Sequence, residues 1–311
     1  MKKTTDRKVV LVTQRTRLQE LIRRHNTVGQ AQFYVEHHGG DFGDYLAEDH
    51  AYRSAVECVS SFLEQYGRLQ IVDRTLISGF LFGDNDLVVA VGRDGLVANT
   101  LKYLTVQKLI GVNPDPKRWD GMLLPFAPAD LPRIVPEADR GQRRMRSVTL
   151  AEARLNDGQT LCGVNDIFIG QRTHASARYR LEAFGHTEAQ SSSGIIVSTG
   201  LGSTGWLKSV MTGVAGIESA RGVGRQCTGS IGFPWESRYL YYVVREPYPS
   251  KSTGASLVYG KIDESHPIRI MSDMPENGVI FSDGMEQDCL EFNTGAIVTV
   301  GVSDRRGNLV V

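Results

Sequence analysis

The chain has 311 residues, which corresponds to about two domains at the usual size of roughly 150 residues per domain. Hydrophobic residues make up 41% and charged residues 23%, a composition that excludes a disordered chain, a collagen and a long coiled coil. Lys and Arg together number 35, and Asp and Glu together also number 35, so the net charge is zero. Because proteins that bind nucleic acids usually have an excess of basic residues, this balance favours a small-molecule partner.

The first part of the chain alternates short apolar runs with helical patterns. The predicted elements are a strand at Lys8–Thr13, a helix at Arg17–His25 with Thr16 as N-cap, a helix at His50–Tyr66 ended by Gly67, strands at Leu69–Val72 and Asp86–Val91, a helix over 96–104 and a strand at Lys108–Val112. The run at 86–91 is rich in Val, which is typical of a strand buried on both faces. This alternation predicts a parallel sheet with right-handed crossovers.

Residues 114–136 hold six of the eleven prolines. Proline lacks the N–H donor and blocks helices, so this segment is predicted to be a connector or an irregular crossing between domains.

Short alternating strands dominate beyond about residue 145. They are predicted at 147–154, 164–169, 177–184, 194–199, 239–245, 268–271, 279–282 and 296–302, with one helical insert after Thr204. The predicted fold class is therefore α/β plus all-β. It combines a Rossmann-like parallel-sheet domain at residues 1–124 with a β-sandwich domain at residues 125–311, whose last strands could pack back on the first domain.

The chain shows no sign of a membrane or secretory segment. No apolar run reaches the roughly 18 residues of a membrane helix, and no apolar segment follows the charged amino terminus. Four cysteines, Cys58, Cys162, Cys227 and Cys289, lie far apart, which predicts reduced, buried thiols. These features favour a cytoplasmic protein without a membrane partner.

The segment Gly92-Arg93-Asp94-Gly95 follows a buried strand and precedes a helix. Ligands bind at this edge of an open α/β sheet, where glycines let backbone amides approach a phosphate and the helix dipole favours an anion. A carboxylate in such a loop repels phosphate unless it accepts a proton from an attacking hydroxyl or positions a metal ion. The alternative is that Asp94 only caps the helix that begins near Leu96.

A second motif, Gly200-Leu201-Gly202-Ser203-Thr204-Gly205, is a literal G-x-G-x-x-G between a strand and a helix. A Rossmann fingerprint is disfavoured because the surrounding strands look antiparallel and no clear βαβ return follows. We interpret the segment as a loop that hydrogen-bonds a nucleotide through its hydroxyls and amides. A plain tight turn is the alternative.

Two weaker clusters complete the candidates. Asn165-Asp166 opens a predicted strand, where the amide suits an adenine edge and the carboxylate a ribose hydroxyl, although Asn-Asp is also a common turn. A polar cluster, interpreted as a loop because its spacing matches no metal-ligand set, comprises His37, His38, Asp41, Asp44, Asp49 and His50. No metal site is predicted from these residues.

Taken in order, these segments resemble the NAD kinase family, and its mitochondrial-type branch above all. VVAVGRDGLVANTLKYL stands where the family has its GGDGT strand-loop-helix, and KLIGVNPDPKRWDGMLLP resembles the GVNTDP segment. GVNDIFIG is similar to the Asn-Glu motif strand, SSSGIIVSTGLGSTGWLKS to the TGTGS-type loop, FSDGMEQ to the late Asp-Gly turn, and VVLVTQRTRL to the opening strand and helix.

The resemblance implies a site in a cleft between an α/β domain and a β-sandwich. It implies transfer of the γ-phosphoryl group of ATP, with Mg²⁺, to the 2′-hydroxyl of the adenosine ribose of NAD, which gives NADP, and it implies a homodimer or larger homo-oligomer. Position by position, it makes Asp94 the base or hydroxyl-orienting carboxylate. It makes these residues nucleotide-binding: Gly92, Arg93, Gly95, Asn113, Asn165, Asp166, Thr199, Gly202, Ser203, Thr204 and Asp283.

Several positions depart from the family pattern, among them Gly200 and Leu201 in the hydroxyl-rich loop. Arg93 replaces a glycine, and it either obstructs the approach of phosphate, if the position needs a positive φ, or binds phosphate through its guanidinium. Leu96 removes a hydroxyl, and Asp166 is one methylene shorter than the usual Glu. Two alternatives therefore stay open: a catalytically silent homologue that binds NAD(H) or ATP, and a kinase of a different small hydroxyl substrate or a lipid.

Overall fold

The computed structural model describes residues 3–222 and 232–311. The helices are α1 Arg17–His25, α2 Val28–His37, α3 Phe42–Tyr66, α4 Asp94–Leu101, α5 Leu131–Asp139 and α6 Trp206–Ala220. The strands are β1 Lys8–Thr13, β2 Arg68–Asp73, β3 Leu87–Val91, β4 Lys108–Val112, β5 Met145–Leu155, β6 Thr160–Gly163, β7 Asp166–Gln171, β8 Ala177–Ala183, β9 His186–Ser192, β10 Ile195–Ser198, β11 Tyr239–Val244, β12 Tyr259–Asp263, β13 Ile268–Ser272, β14 Gly278–Ser282, β15 Met285–Glu291 and β16 Ile297–Val310.

The chain divides into two compact units. Unit 1 holds the described residues up to Arg146 together with Asn308–Val311, and unit 2 holds the described residues from Ser147 to Gly307. Unit 1 contains a parallel sheet in the order β2-β1-β3-β4, and Asn308 and Leu309 of β16 pair in parallel with β4. Every residue of β3 is buried, so the predicted α/β architecture with a doubly covered central strand is confirmed.

Local signals explain the start of each early helix. Thr16 and Gln19 form a capping box in which the Thr16 hydroxyl accepts the Gln19 N–H at 3.2 Å and the Gln19 side chain accepts the Thr16 N–H at 3.1 Å. The predicted helix at His50–Tyr66 is the second part of α3, which begins at Phe42 after its N-cap Asp41. Helix α2 was not predicted.

Helix α5 contradicts the prediction that residues 114–136 form only a connector. Pro132 lies in its first turn, where a missing N–H costs little, and Pro136 lies inside the helix. The helix is stabilised instead by burying one apolar stripe, formed by Leu131, Ile134, Val135 and Ala138. This stripe packs into the core of unit 1, so the unit boundary lies after Arg146 rather than after residue 124.

Unit 2 is a sandwich of two antiparallel sheets. One sheet has the order β12-β11-β10-β7-β14-β15, and the other joins β9, β8, β13, β16, β5 and β6. A single core contains inward side chains of both, such as Ile169 and Val197 from the first and Leu181 and Ile270 from the second. The predicted β-sandwich is confirmed, although β6, β9, β12 and β15 were not predicted.

Within residues 3–222 and 232–311, no helix combines the length and the apolar character needed to cross a membrane. Three described cysteines are free thiols. Cys162 is buried as predicted and Cys289 is half-buried, whereas Cys58 is exposed on α3, so the prediction of buried thiols is wrong there. Cys227 lies outside the described residues.

Candidate functional site

The loop between β3 and α4 is only two residues long. β3 ends at Val91 and α4 begins at Asp94, so Gly92 and Arg93 form the whole connection. The Gly92 N–H donates to the Val112 carbonyl at 3.2 Å, which holds the loop against the end of β4. Gly95 is exposed, and a Cβ there would meet no atom within 4 Å, so the first turn of α4 has open space beside it.

Asp94 is half-buried in that first turn. Its Oδ1 accepts the backbone N–H of Leu123 at 2.7 Å. The N-cap of α4 is Arg93, and Asp94 makes no side-chain cap hydrogen bond, so it does not act as the cap of this helix. Among the described residues, no donor bonds its second carboxylate oxygen, which leaves one oxygen of a fixed carboxylate available.

Arg93 fits its position without backbone strain. Its φ of −110° and ψ of 168° are extended, so the position does not need a positive φ, and an arginine is compatible with the loop. The guanidinium lies 3.2 Å (Nη2) from Glu48 Oε1 and 4.7 Å (Cζ) from the centroid of the Trp119 ring. Leu96, the other departure in this segment, is fully buried.

Asn113 organises the loop that covers this site from one side. Its Nδ2 donates to the Trp119 carbonyl at 2.9 Å, and its Oδ1 accepts the Asp115 N–H at 3.0 Å. The same loop supplies the Trp119 ring to Arg93 and the Leu123 N–H to Asp94. The buried amide of Asn113 therefore positions the partners of the predicted phosphate loop.

Two carboxylates of α3 form an ion-pair network that the sequence analysis did not predict, since Asp44 was assigned to a polar loop and Glu48 was not singled out. Buried Glu48 pairs with both Arg17 and Arg93. Asp44 accepts from Arg17 at 2.7 Å and from Arg118 at 2.5 Å, and these guanidinium hydrogen bonds lower the pKa of the Asp44 carboxyl below its usual range. The i,i+4 spacing of Asp44 and Glu48 on one helix is the available signal, because it places both on one face.

Tyr52 joins the ends of two parallel strands. Its hydroxyl donates to the Val91 carbonyl at 3.1 Å and accepts the Gln14 N–H at 2.8 Å. Burial raises the pKa of Tyr52 to about 12, so the phenol stays protonated and can donate. Helix α3 thereby fixes the carboxyl ends of β1 and β3, the edge at which ligands of α/β sheets bind.

In unit 2, Asp283 supports the Asn165-Asp166 segment. It adopts a left-handed φ of 53°, and its carboxylate accepts the N–H groups of Val164 at 2.9 Å and Asn165 at 2.6 Å. The Asp283 N–H donates to the Asp166 carbonyl at 3.1 Å. These bonds shape the backbone just before β7 and fix the direction in which that strand begins.

The two residues held in this way differ in environment. Asp166 is buried, and burial, followed by the negative charge of Asp283, raises the pKa of its carboxyl to about 7. Asn165 is half-buried, and within the described part of the chain its side-chain amide has no hydrogen-bond partner. A neutral amide and a carboxyl that titrates near neutrality therefore stand side by side.

The loop at 199–205 uses most of its hydroxyls internally. Thr199 and Ser203 are fully buried; Thr199 Oγ1 donates to the Val164 carbonyl at 2.6 Å, and Ser203 Oγ donates to the Gly200 carbonyl at 2.7 Å. A Cβ on Gly202 would lie 2.0 Å from the Asn165 carbonyl oxygen, so only glycine fits this approach. Thr204 is exposed. β10 pairs antiparallel with both neighbours, as expected for a loop outside a Rossmann βαβ unit.

Comparison with known proteins gives a likeness at the level of structure. No protein-family model matches the sequence, and a search of curated proteins gives no match. The structure of an NAD kinase from Archaeoglobus fulgidus in complex with ATP matches with a TM-score of 0.58 and 15% identity, over 98% of this chain and 93% of that one. The yeast NADH kinase complexed with NADH matches with a TM-score of 0.58 and 16% identity, over 99% of this chain and 84% of that one.

The chain has the NAD kinase fold. At this level of identity the likeness is one of fold. Within the fold, the predicted site residues form one group in each unit. The group of unit 1 is Gly92, Arg93, Asp94, Gly95 and Asn113, and the group of unit 2 is Asn165, Asp166, Thr199, Gly202, Ser203, Thr204 and Asp283.

The acidic and histidine cluster that was interpreted as a polar loop lies mostly on helices. His37 ends α2, and Asp44, Asp49 and His50 lie on α3. Asp49 accepts the Thr16 hydroxyl at 2.6 Å, so it supports the start of α1. Across the described residues, no group of three or more His, Cys, Asp or Glu side chains is placed to hold a metal ion.

Proposed function

We propose that this chain is an NAD kinase-like phosphotransferase, which moves the γ-phosphoryl group of ATP to the 2′-hydroxyl of the adenosine ribose of NAD and gives NADP and ADP. The placement of Asp94 carries the proposal: a carboxylate anchored by the Leu123 N–H at the carboxyl end of a buried parallel strand, with one oxygen available. The fold supports it, because one neighbour is an NAD kinase in complex with ATP and the other an NADH kinase complexed with NADH.

In the proposed reaction, the oxygen of the ribose 2′-hydroxyl attacks the γ-phosphorus, and Asp94 accepts the proton of that hydroxyl. A new P–O bond forms, the bond from the γ-phosphorus to the bridging oxygen breaks, and ADP leaves with that oxygen. The Arg93 guanidinium and the N-terminus of α4 supply positive charge beside the transferred group. Phosphoryl transfer depends mainly on such positioning and electrostatics.

The group in unit 2 is assigned to NAD. The Asn165 amide is available for the adenine edge, and Asp166 for a ribose hydroxyl, since a carboxyl oxygen accepts a hydrogen bond in either protonation state. Thr204 offers an exposed hydroxyl. Thr199, Gly202, Ser203 and Asp283 shape the backbone around these residues through internal hydrogen bonds and close packing.

The ion and the assembly are part of the same proposal. Mg²⁺ enters as the magnesium complex of ATP, since the phosphate oxygens of the nucleotide are hard ligands of the kind this ion prefers. We also propose that the chain forms a homodimer or larger homo-oligomer in the cytoplasm. We further assign it to the mitochondrial-type branch of the family.

Replacing Asp94 with Asn tests the assigned role directly. Asp94→Asn keeps an oxygen for the Leu123 N–H but cannot take a proton, so kcat for NADP formation is expected to fall about 10²- to 10⁴-fold. The KM values for ATP and NAD should change little, because the hydrogen bond that shapes the loop remains. A coupled assay with an NADP-specific dehydrogenase measures the rate.

Asp130→Asn is the matched control. Asp130 is also half-buried in unit 1, and its carboxylate also accepts one backbone N–H, that of Ala127 at 2.8 Å. This variant should keep the wild-type rate. Equal rates in Asp94→Asn and wild type would refute the role of Asp94, and a wild type that forms no NADP would refute the proposed function.

One observation favours a second candidate, a silent homologue that binds NAD(H) or ATP. The Arg93 guanidinium is already engaged by Glu48 and the Trp119 ring, which reduces its availability to a phosphate. On this hypothesis the wild type binds nucleotide without turnover, and Arg93→Gly combined with Leu96→Thr creates turnover. NADP formation by the wild type decides between the two candidates.

A further inference from the structure

A cavity of about 730 Å³ in unit 1 is lined by an unusual number of arginines. They are Arg15, Arg17, Arg23, Arg24 and Arg93, and Glu20 is the one carboxylate that lines the cavity with them. The residues come from the loop after β1, from α1 and from the loop after β3. We name this cavity the arginine cleft. Its volume lies within the roughly 300–1,000 Å³ of typical ligand pockets.

The arginine cleft concentrates positive charge in a chain that is neutral overall, with 35 basic and 35 acidic residues. Glu20 is shared by two partners, Arg15 at 3.3 Å and Arg23 at 3.2 Å. Arg24 is exposed and has no ion pair with any described residue. Like charges held together in this way are stabilised when an anion binds between them, because a cleft focuses their field.

Two of the five guanidinium groups are held in fixed positions. Arg17 is bound by Asp44 at 2.7 Å and by Glu48, and Arg93 is bound by Glu48 at 3.2 Å. These carboxylates neutralise charge, but they also orient the guanidinium groups, which reduces the entropy lost when a ligand binds. The arrangement therefore combines oriented donors at one end with unneutralised charge at the other.

The spacing of the arginines indicates the kind of anion. Arg17 opens α1 and Arg24 lies in its last turn, and seven residues of α-helix rise about 10 Å. A guanidinium matches phosphate oxygens in a bidentate manner. A row of such groups over this distance is longer than one phosphate requires and suits several phosphates linked in a chain.

We propose that the arginine cleft binds an oligophosphate, a molecule with two or more linked phosphate groups. The oligophosphate has two possible sources: the triphosphate of a nucleotide donor, or a separate molecule with the same chemistry. The identification of ATP as a source rests on the proposed function, whereas binding of an oligophosphate does not.

Calorimetric titration with inorganic tripolyphosphate tests this site without any turnover. Arg24→Gln removes a guanidinium group that has no ion pair with a described residue. The affinity for tripolyphosphate is therefore expected to fall about threefold to tenfold. Arg133→Gln is the matched control, because Arg133 is also exposed on a helix of unit 1 and has no ion pair with a described residue. It should bind as the wild type does. No binding to the wild type, or equal affinities of wild type and Arg24→Gln, overturns the proposal.

Competition with ATP then separates the two sources. If the cleft holds the donor, ATP displaces tripolyphosphate, and Arg24→Gln raises the KM for ATP at nearly unchanged kcat. If the anion is a separate molecule, ATP does not displace it and the KM for ATP is unchanged. Tripolyphosphate binding without NADP formation refutes the proposed function alone. NADP formation with equal tripolyphosphate affinity in all variants refutes the arginine cleft alone.

Discussion

At the scale of single residues, Asp166 is placed so that two effects act in the same direction. Burial and the nearby charge of Asp283 both disfavour its ionised form, and the pKa of the carboxyl rises to about 7 from an ordinary value near 3.8. The folded state therefore binds this proton more tightly than the unfolded state. The resulting stabilisation of the folded state is fully present below the pKa that the Asp166 carboxyl has in the unfolded state. It is lost as the pH rises through the pKa of this carboxyl in the folded state.

Asp166→Asn is expected to stabilise the protein at high pH only. At about pH 8 the variant removes a buried charge, and the free energy of unfolding should increase by roughly 2–4 kcal/mol, whereas at about pH 4 the carboxyl is already neutral in the folded state and little should change. Urea unfolding over this pH range measures the difference.

Asp157→Asn provides the control of opposite sign. Asp157 is exposed, and the backbone hydrogen bond from Gln159 lowers the pKa of its carboxyl. Removing this charge should therefore cause a slight loss of stability at every pH above the ordinary carboxyl pKa, near 3.8. A gain of the same size in both variants, or a gain of Asp166→Asn that does not depend on pH, contradicts the account of Asp166.

At the scale of elements, the hydroxyls of the loop at 199–205 are used differently from the sequence prediction. The sequence pattern predicts hydroxyls that face a nucleotide, yet Thr199 and Ser203 are buried and bond to backbone carbonyls. Glycines in such a loop serve close backbone packing, above all Gly202 against the Asn165 carbonyl. The loop thus fixes the segment that presents Asn165 and Asp166.

Gly202→Ala is expected to destabilise unit 2 by about 1–3 kcal/mol, because the added Cβ would lie 2.0 Å from the Asn165 carbonyl oxygen and the backbone must shift. Gly213→Ala in α6 is the control, since a Cβ there meets nothing within 4 Å and alanine favours a helix by roughly 0.5–1 kcal/mol. Thermal unfolding compares the two variants. Equal effects would show that the close approach at Gly202 has no energetic cost.

Elements with strong local signals could be predicted from the sequence. β1, α1 and β4 have the predicted bounds, because continuous apolar runs and the Thr16 capping box are encoded by neighbouring residues. The part of the site that was not predicted depends on distant partners. Glu48 is on a different element from Arg17 and Arg93, and only the folded chain brings the three together.

At the scale of the whole molecule, unit 1 is built from both ends of the chain. Strand β16 pairs with β13 through its first residues, within unit 2, and its last residues belong to unit 1. There Asn308 and Leu309 pair with Lys108 and Leu109 of β4. The sheet whose strand β3 leads into the loop before Asp94 therefore cannot be complete before residues 308 and 309 are in place.

Deleting residues 308–311 is expected to destabilise unit 1 selectively. Leu309 and Val310 are fully buried, and removing them should cost about 3–6 kcal/mol of unfolding free energy, at about 1.5–3 kcal/mol for each side chain. Hydrogen exchange should become faster in β4 and remain slow in β10 of unit 2, since the two units have separate cores.

Deleting Val311 alone, which removes one backbone hydrogen bond to the Arg144 carbonyl, should have a much smaller effect. Equal loss of protection in β4 and β10 would mean that the units unfold together, and unchanged protection in β4 would mean that the returning strand does not stabilise the sheet.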